Sequence, residues 1–371
     1  MDGSAFGRGF ETVEVARHLA DSGEFRDPFG QPTGFTAHVA PVYPAILAAI
    51  LGIFGYSSRF LIAILLVTAG LMGLVAALLP AVAQRIYGSA EPGIIGAVLL
   101  TVSSQIAPQV ETALSAALLL IAATAVLKFR AAAAGLWAGL SVLTNPLSLP
   151  ALGLLALHRG RRSGLIVVLM AVAVCVPWTL RNWVMVGFPY FVRDNVGIEL
   201  YLSNSDRSEP ELVRNSPLPE LHPSYNDEEA AAVARMGEGP YNQMRLRDAL
   251  AWIRSHPRRF LELSAGRVFY YWFPSRREGW PAYGIWAMTI LAIAGAWLGR
   301  ANRTARFIAA AALLWSLPFV LVQTDVRYRF PSLWMTALLA GYAVEILRRR
   351  TQAGRAPAEA SAGVRESADA D

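Results

Sequence analysis

The chain has 371 residues, of which 54% are hydrophobic and 16% charged, with a mean hydropathy of +0.39. A soluble domain carries about a quarter charged residues, so packing in water does not account for this balance and the bilayer is the main solvent. The net charge of +6 is almost entirely arginine, Lys128 being the only lysine, and it gathers at the ends of apolar runs, which fits membrane topology rather than nucleic-acid binding.

The first forty residues are polar and mixed in charge, without a signal peptide. Within them, Phe10 to Ala20 places Phe10, Val13, Ala16 and Ala20 on one face, and Glu11, Glu14, Arg17, His18 and Asp21 on the other. This spacing predicts an amphipathic helix along the membrane surface, ended by Gly23. The apolar stretch Pro41 to Gly55 has 15 residues, too few to span, and predicts an interfacial or partly inserted helix.

Phe60 to Ala83 holds no charge over 24 residues, and Gly164 to Leu180 holds none over 17. A spanning helix needs about 20 apolar residues. Apolar runs bounded by charged ends predict about nine spans, near 58–84, 92–107, 111–128, 132–145, 147–158, 163–182, 282–299, 304–322 and 329–347. The fourth and fifth are short, split by Asn145-Pro146, and read as a broken or re-entrant pair. The positive-inside rule then puts Lys128, Arg130, Arg159, Arg161, Arg162, Arg300, Arg303, Arg306 and Arg348 to Arg350 on the cytoplasmic side, with residues 1–57 and 183–281 outside.

The 183–281 segment predicts three helices: one opened by an Asn226/Glu229 capping box and running to Met236, one over Tyr241 to His256 stopped by Pro257, and one over Arg258 to Phe273 that returns through an aromatic belt. Residues 348–371 are rich in Ala, Glu and Arg without periodicity and predict a disordered cytoplasmic tail. The fold class is thus an all-α polytopic membrane protein with interfacial helices in the first outer loop and a small outer-face helical region.

Charged groups at a membrane are costly, so those without a topological role are informative. Glu11 and Glu14 are either the solvated face of a surface helix or carboxylates placed to act as a general base. His38, ahead of Pro41 and Pro44, is either a structural hydrogen-bonder or a donor to a phosphate or an acceptor. Glu111, opening an apolar helix, serves the helix dipole or a second acidic site. Arg181, Arg327 and Arg329 lie at outer helix ends, where a guanidinium anchors to lipid headgroups or holds a phosphate of a ligand. The single cysteine, Cys175, rules out an intrachain disulfide and a cysteine metal cluster. No Gly-rich phosphate loop, HExxH, GxSxG or CxxC is present, and no cofactor or metal is expected, a divalent ion staying open.

The sequence of motifs Gly9-Phe10-Glu11, Ala16-Arg17-His18-Leu19-Ala20, Gly23-Glu24-Phe25, Asp27-Pro28-Phe29-Gly30, Thr33-Gly34-Phe35-Thr36-Ala37-His38 and Pro41-Val42-Tyr43-Pro44 resembles the first outer loop of GT-C membrane glycosyltransferases. The likeness is to the bacterial family 39 type, related to protein O-mannosyltransferases and the lipid A aminoarabinose transferase. Pro177 to Asn182, Gly197 to Asn204, the Pro257 helix pair and Arg327 to Pro331 follow in the same order.

The resemblance implies a GT-C-like helical bundle in a bacterial inner membrane, active on the outer side, with the C-terminus cytoplasmic. It implies transfer of a sugar from a polyprenyl-phosphate donor to a glycan, lipid or protein acceptor, with membrane lipids and no nucleic acid as partners. Glu11 falls where the family has its acidic base, and Glu111 matches an acidic position in the second outer loop. His38, Arg181, Arg327 and Arg329 become candidates for the donor phosphate or the acceptor site.

The family opens with a membrane helix before this loop and shows an Asp-Glu pair where Phe10 precedes Glu11 here, so the chain is expected to be short by one helix. A lipid-linked sugar transporter or flippase, which would need a polar path across the spans, and a non-catalytic membrane homologue are the rival readings.

Overall fold

The computed structural model describes residues 11–103, 110–158, 160–215 and 218–368. Among them the chain is helical, apart from isolated bridges between Arg26 and Phe35 and between Glu211 and Thr324. Gly9, Phe10, the end of the expected 92–107 span from residue 104 and Arg159 lie outside the described residues.

The chain opens with the surface helix α1 (Glu11–Ser22), whose buried face is Val15 and Ala16. Gly23, at φ +73°, ends it by donating its N–H to Leu19 O, a left-handed position that a glycine takes without strain. A loop then leads to α2 (Val42–Phe54), which buries Leu47, Ala48, Ile50 and Leu51 against Ala16 and Phe60.

The bundle follows as α3 (Ser58–Tyr87), α4 (Glu91–Ser103), α5 (Val110–Leu127), α6 (Ala131–Thr144), α7 (Ser148–Leu157) and α8 (Arg161–Val186). A second helical group is α9 (Val196–Ser203), α10 (Leu218–Leu221), α11 (Asp227–Met236), α12 (Glu238–Ser255) and α13 (Pro257–Trp272). The chain then returns to the bundle as α14 (Trp280–Leu298), α15 (Arg303–Ser316), α16 (Val326–Arg329) and α17 (Leu333–Ala368).

Five segments are long and apolar enough to cross a membrane: Ser58–Tyr87, Val110–Leu127, Arg161–Val186, Arg303–Val320 and Val326–Ala353. The protein is therefore a multi-pass membrane protein by the length and composition of its helices. The remaining expected spans form shorter apolar helices. Of these, α6 and α7, with 14 and 10 residues, give about 21 and 15 Å of helix, well under the roughly 30 Å of a hydrocarbon core. Asn145 separates them by leaving helical geometry, and Ser141 Oγ donates to Ser148 Oγ at 2.8 Å across the break.

The two longest early spans are the least covered. Only 11% of α3's apolar window is buried, against 83% of α5's, so α5 is the interior helix and α3 offers Leu61, Ile62, Leu65 and Leu66 to the apolar surroundings. On α8, Leu165, Leu169 and Leu180 do the same. Small residues let the inner helices approach closely: a methyl group at Gly96 of α4 would meet the Ala337 carbonyl of α17 at 2.8 Å. Trp315, Trp334, Leu119 and Leu120 fill the centre.

Two sequence expectations change. Glu229 does not close a capping box; Asn226 Oδ1 accepts the N–H groups of Glu228 and Glu229 at 2.8 and 3.4 Å, while the Glu229 carboxylate pairs with Arg245 and Tyr241. Beyond position 348, where composition predicts a disordered tail, the backbone of α17 stays helical to Ala368, as Ala, Glu and Arg favour. Pro257 both ends α12 and starts α13, taking the first helical position, where its missing N–H costs nothing.

Candidate functional site

The polar groups that the bundle does not absorb collect where α1, the loop after it and the second helical group meet. Glu11 opens α1, and its carboxylate Oε1 accepts Ser224 Oγ–H at 3.1 Å and lies 3.4 Å from His222 Nε2. Ser224 also fixes the histidine: its backbone N–H donates to His222 Nδ1 at 3.1 Å. In the neutral ring the proton then sits on Nε2 and points at Glu11.

The ring of Phe29 stands edge-on to two imidazoles, 4.9 Å from His38 and 5.9 Å from His222. Both rings are buried, and burial holds them neutral: His222 is pulled down to about 4, and His38 falls well below its ordinary value, with the Arg193 charge and His222 adding to the effect. His38 Nδ1 has no hydrogen-bond partner, although it is buried. Burial raises the proton affinity of the Glu11 carboxyl, and the α1 backbone, Ser224, Arg193 and Arg327 oppose the rise.

Across from Glu11 stand a second carboxylate and two guanidinium groups. Glu111, in the first turn of α5, is within electrostatic reach of Arg193, Arg327 and Glu11. Arg193 is anchored by its Nε, which donates to His38 O at 3.0 Å. Arg327 is set by the cap of α16, where Asp325 Oδ1 accepts its backbone N–H at 2.9 Å, and its guanidinium lies over the Tyr328 ring at 5.3 Å. Its Nε is buried without a hydrogen bond.

One donor atom each from Glu11, His38 and His222 lies within 4.8 Å of the others, a carboxylate and two imidazoles, which is a donor set suited to zinc or a similar ion. Binding an ion through His222 Nε2 would require that nitrogen to lose its proton and Nδ1 to give up the Ser224 N–H. The hydrogen bonds present therefore favour a proton between His222 and Glu11.

Glu11, His38, Glu111 and Arg327, singled out from the sequence, are thus brought together. Three others are not. Glu14 lies beside Gly30, and its Oε2 is taken up by Arg17, accepting Nη2 at 2.8 Å and Nε at 3.2 Å. Arg181 is a clamp: its Nη1 donates to Thr36 O at 2.5 Å, its Nη2 to Phe25 O at 2.8 Å, and its guanidinium lies over Trp178 at 4.8 Å and Phe25 at 5.1 Å. Arg329 is buried, donating Nη1 to Trp272 O at 3.0 Å over that residue's ring, with Nε and Nη2 unbonded.

Sequence reasoning missed His222, Ser224 and Arg193. The signals were slight: His222 sits in a proline-marked turn as His38 does, and Arg193-Asp194 is a charged pair in the short connection after α8. The chain matches no protein-family model, no curated protein and no solved structure.

Proposed function

We propose that the protein is a membrane glycosyltransferase that moves a sugar from a polyprenyl-phosphate donor to an acceptor at the outer face of a bacterial inner membrane. The observation that carries the reading is Glu11, a partly buried carboxylate of raised proton affinity, held by Ser224 and His222 and faced by Arg193 and Arg327.

In this reaction the acceptor hydroxyl or amine gives its proton to Glu11 as its lone pair forms a bond to the sugar's anomeric carbon. The bond from that carbon to the phosphate oxygen breaks, and the electron pair leaves with the lipid phosphate. Arg193 and Arg327 stabilise the charge that grows on the departing oxygen, so they act more strongly in the transition state than before it. His222, donating through Nε2, keeps the Glu11 carboxylate oriented. Glu111, near both arginines, holds them in place before the donor arrives or contacts the acceptor. His38, neutral and buried, is a hydrogen-bonding group rather than a charge for the phosphate.

The test is transfer from a radiolabelled polyprenyl-phosphate sugar by the purified protein in lipid, compared with Glu11→Gln. Loss of about 10²-fold or more is expected for removal of a general base. Full transfer by Glu11→Gln would show that another group is the base.

A further inference from the structure

A second acidic pair lies beside this site and takes no part in the proposed chemistry. Glu238, the first residue of α12, is buried, and its two oxygens grip the loop that carries His38. Oε1 accepts the Ala37 N–H at 2.6 Å, and Oε2 accepts the Thr36 hydroxyl. The same Thr36 oxygen accepts the His38 N–H at 2.8 Å, so one chain of hydrogen bonds runs from the His38 backbone to the Glu238 carboxylate.

The loop is held from its other side by residues 193 and 194. Asp194 N–H donates to Ala37 O at 2.8 Å, and Arg193 Nε to His38 O at 3.0 Å. The Asp194 carboxylate, buried in turn, takes the side-chain amide of Asn242 in α12, whose Oδ1 accepts Ile198 N–H at 3.0 Å in α9. Glu238 and, through Asn242, Asp194 thereby tie this loop to α12.

We infer that Glu238 is a positioning residue, whose hold on Thr36 and Ala37 sets the places of the His38 imidazole and the Arg193 guanidinium. Its consequence for transfer rests on the proposed function; the positioning itself does not. The groups facing Glu238 are Thr36 and Ala37 of the loop, Asp194, and Arg181 of α8, and Tyr190 and Asn242 face Asp194. Burial raises Asp194 to about 7 and Glu238 to about 8, the neighbouring Asp194 adding to the latter.

A protonated Glu238 keeps both links: Oε1 still accepts from Ala37, and Oε2–H donates to Thr36 Oγ1. Above pH 8 two ionised carboxylates stand together in a buried place. Glu238 is raised above its ordinary 4.5, so its contribution to stability is fully present below that value and is lost as pH rises through about 8.

The experiment follows the ring nitrogens of His38 by NMR in the full chain, labelled at histidine and embedded in lipid nanodiscs. The chain has five histidines, and His38→Gln identifies the signal. The His38 signal should move with a midpoint at about 8 in the natural protein, lose that step in Glu238→Gln while keeping one at about 7 from Asp194, and be displaced at every pH in Glu238→Ala. Should Glu238→Ala fail to fold, Thr36→Val, which removes only the hydroxyl link, should displace the signal. A signal that titrates unchanged in Glu238→Gln, or is the same in Glu238→Ala and Thr36→Val, overturns the positioning role. Absence of transfer with the titration intact overturns the transferase reading alone.

Discussion

Two kinds of arginine stand out in this molecule. Arg181 and Arg267 are taken up by backbone carbonyls, Arg181 on Thr36 and Phe25 and Arg267 on Leu321 and Ser203, and Arg329 is held against Trp272 by one bond to its carbonyl and by its ring. Arg193, which gives Nε to His38 O, and Arg327, whose Nε lies 3.7 Å from Asp325 Oδ1, also face Glu11 and Glu111. The first kind holds segments of chain together; the second keeps charge in reserve where a ligand phosphate could take it. A buried guanidinium without a carboxylate is expensive, so the clamps persist because they also satisfy carbonyls that would otherwise be stranded.

Removing a reserved arginine should produce the larger effect and the sharper contrast. Arg327→Ala and Arg193→Ala are each expected to lower transfer per folded molecule by about 10²- to 10³-fold, the scale of losing one transition-state donor. Near-natural transfer in both would erase the distinction between the two kinds.

The converse holds for the clamps. Arg267→Met leaves Ser203 O and Asn204 Oδ1 without their donor, and a loss of about 1–3 kcal/mol in unfolding free energy is expected, with transfer per folded molecule retained. A stable Arg267→Met protein without activity would move that arginine into the site.

A pH-dependent effect concerns His222. Its folded value of about 4 is depressed from 6.5, so its contribution to stability is present above 6.5 and is lost as pH falls toward about 4. His222→Gln should flatten the fall of the melting temperature over that acid range. An unchanged slope would show that other groups set it.

Helices were readable from the sequence because their signals are local. Apolar runs placed α3, α5 and α8, Gly23 closed α1, Asn226 opened α11 and Pro257 divided α12 from α13. The span count was harder, since α6 and α7 are apolar yet too short, and hydropathy does not register a helix that stops half-way.

The site was readable only in part. Glu11, His38, Glu111 and Arg327 stand out as charged or titratable groups at apolar boundaries, but so do Glu14, Arg181 and Arg329. Composition alone therefore marked the polar end of the molecule and its helices, because burying apolar surface and ending a helix depend on near neighbours in the chain. Tertiary structure decided which polar groups face one another. Glu11 meets His222 and Ser224 across more than 200 residues of chain, and Glu238 grips Thr36 across 202. Such contacts depend on how the segments between them turn and pack, which no local pattern of residues encodes.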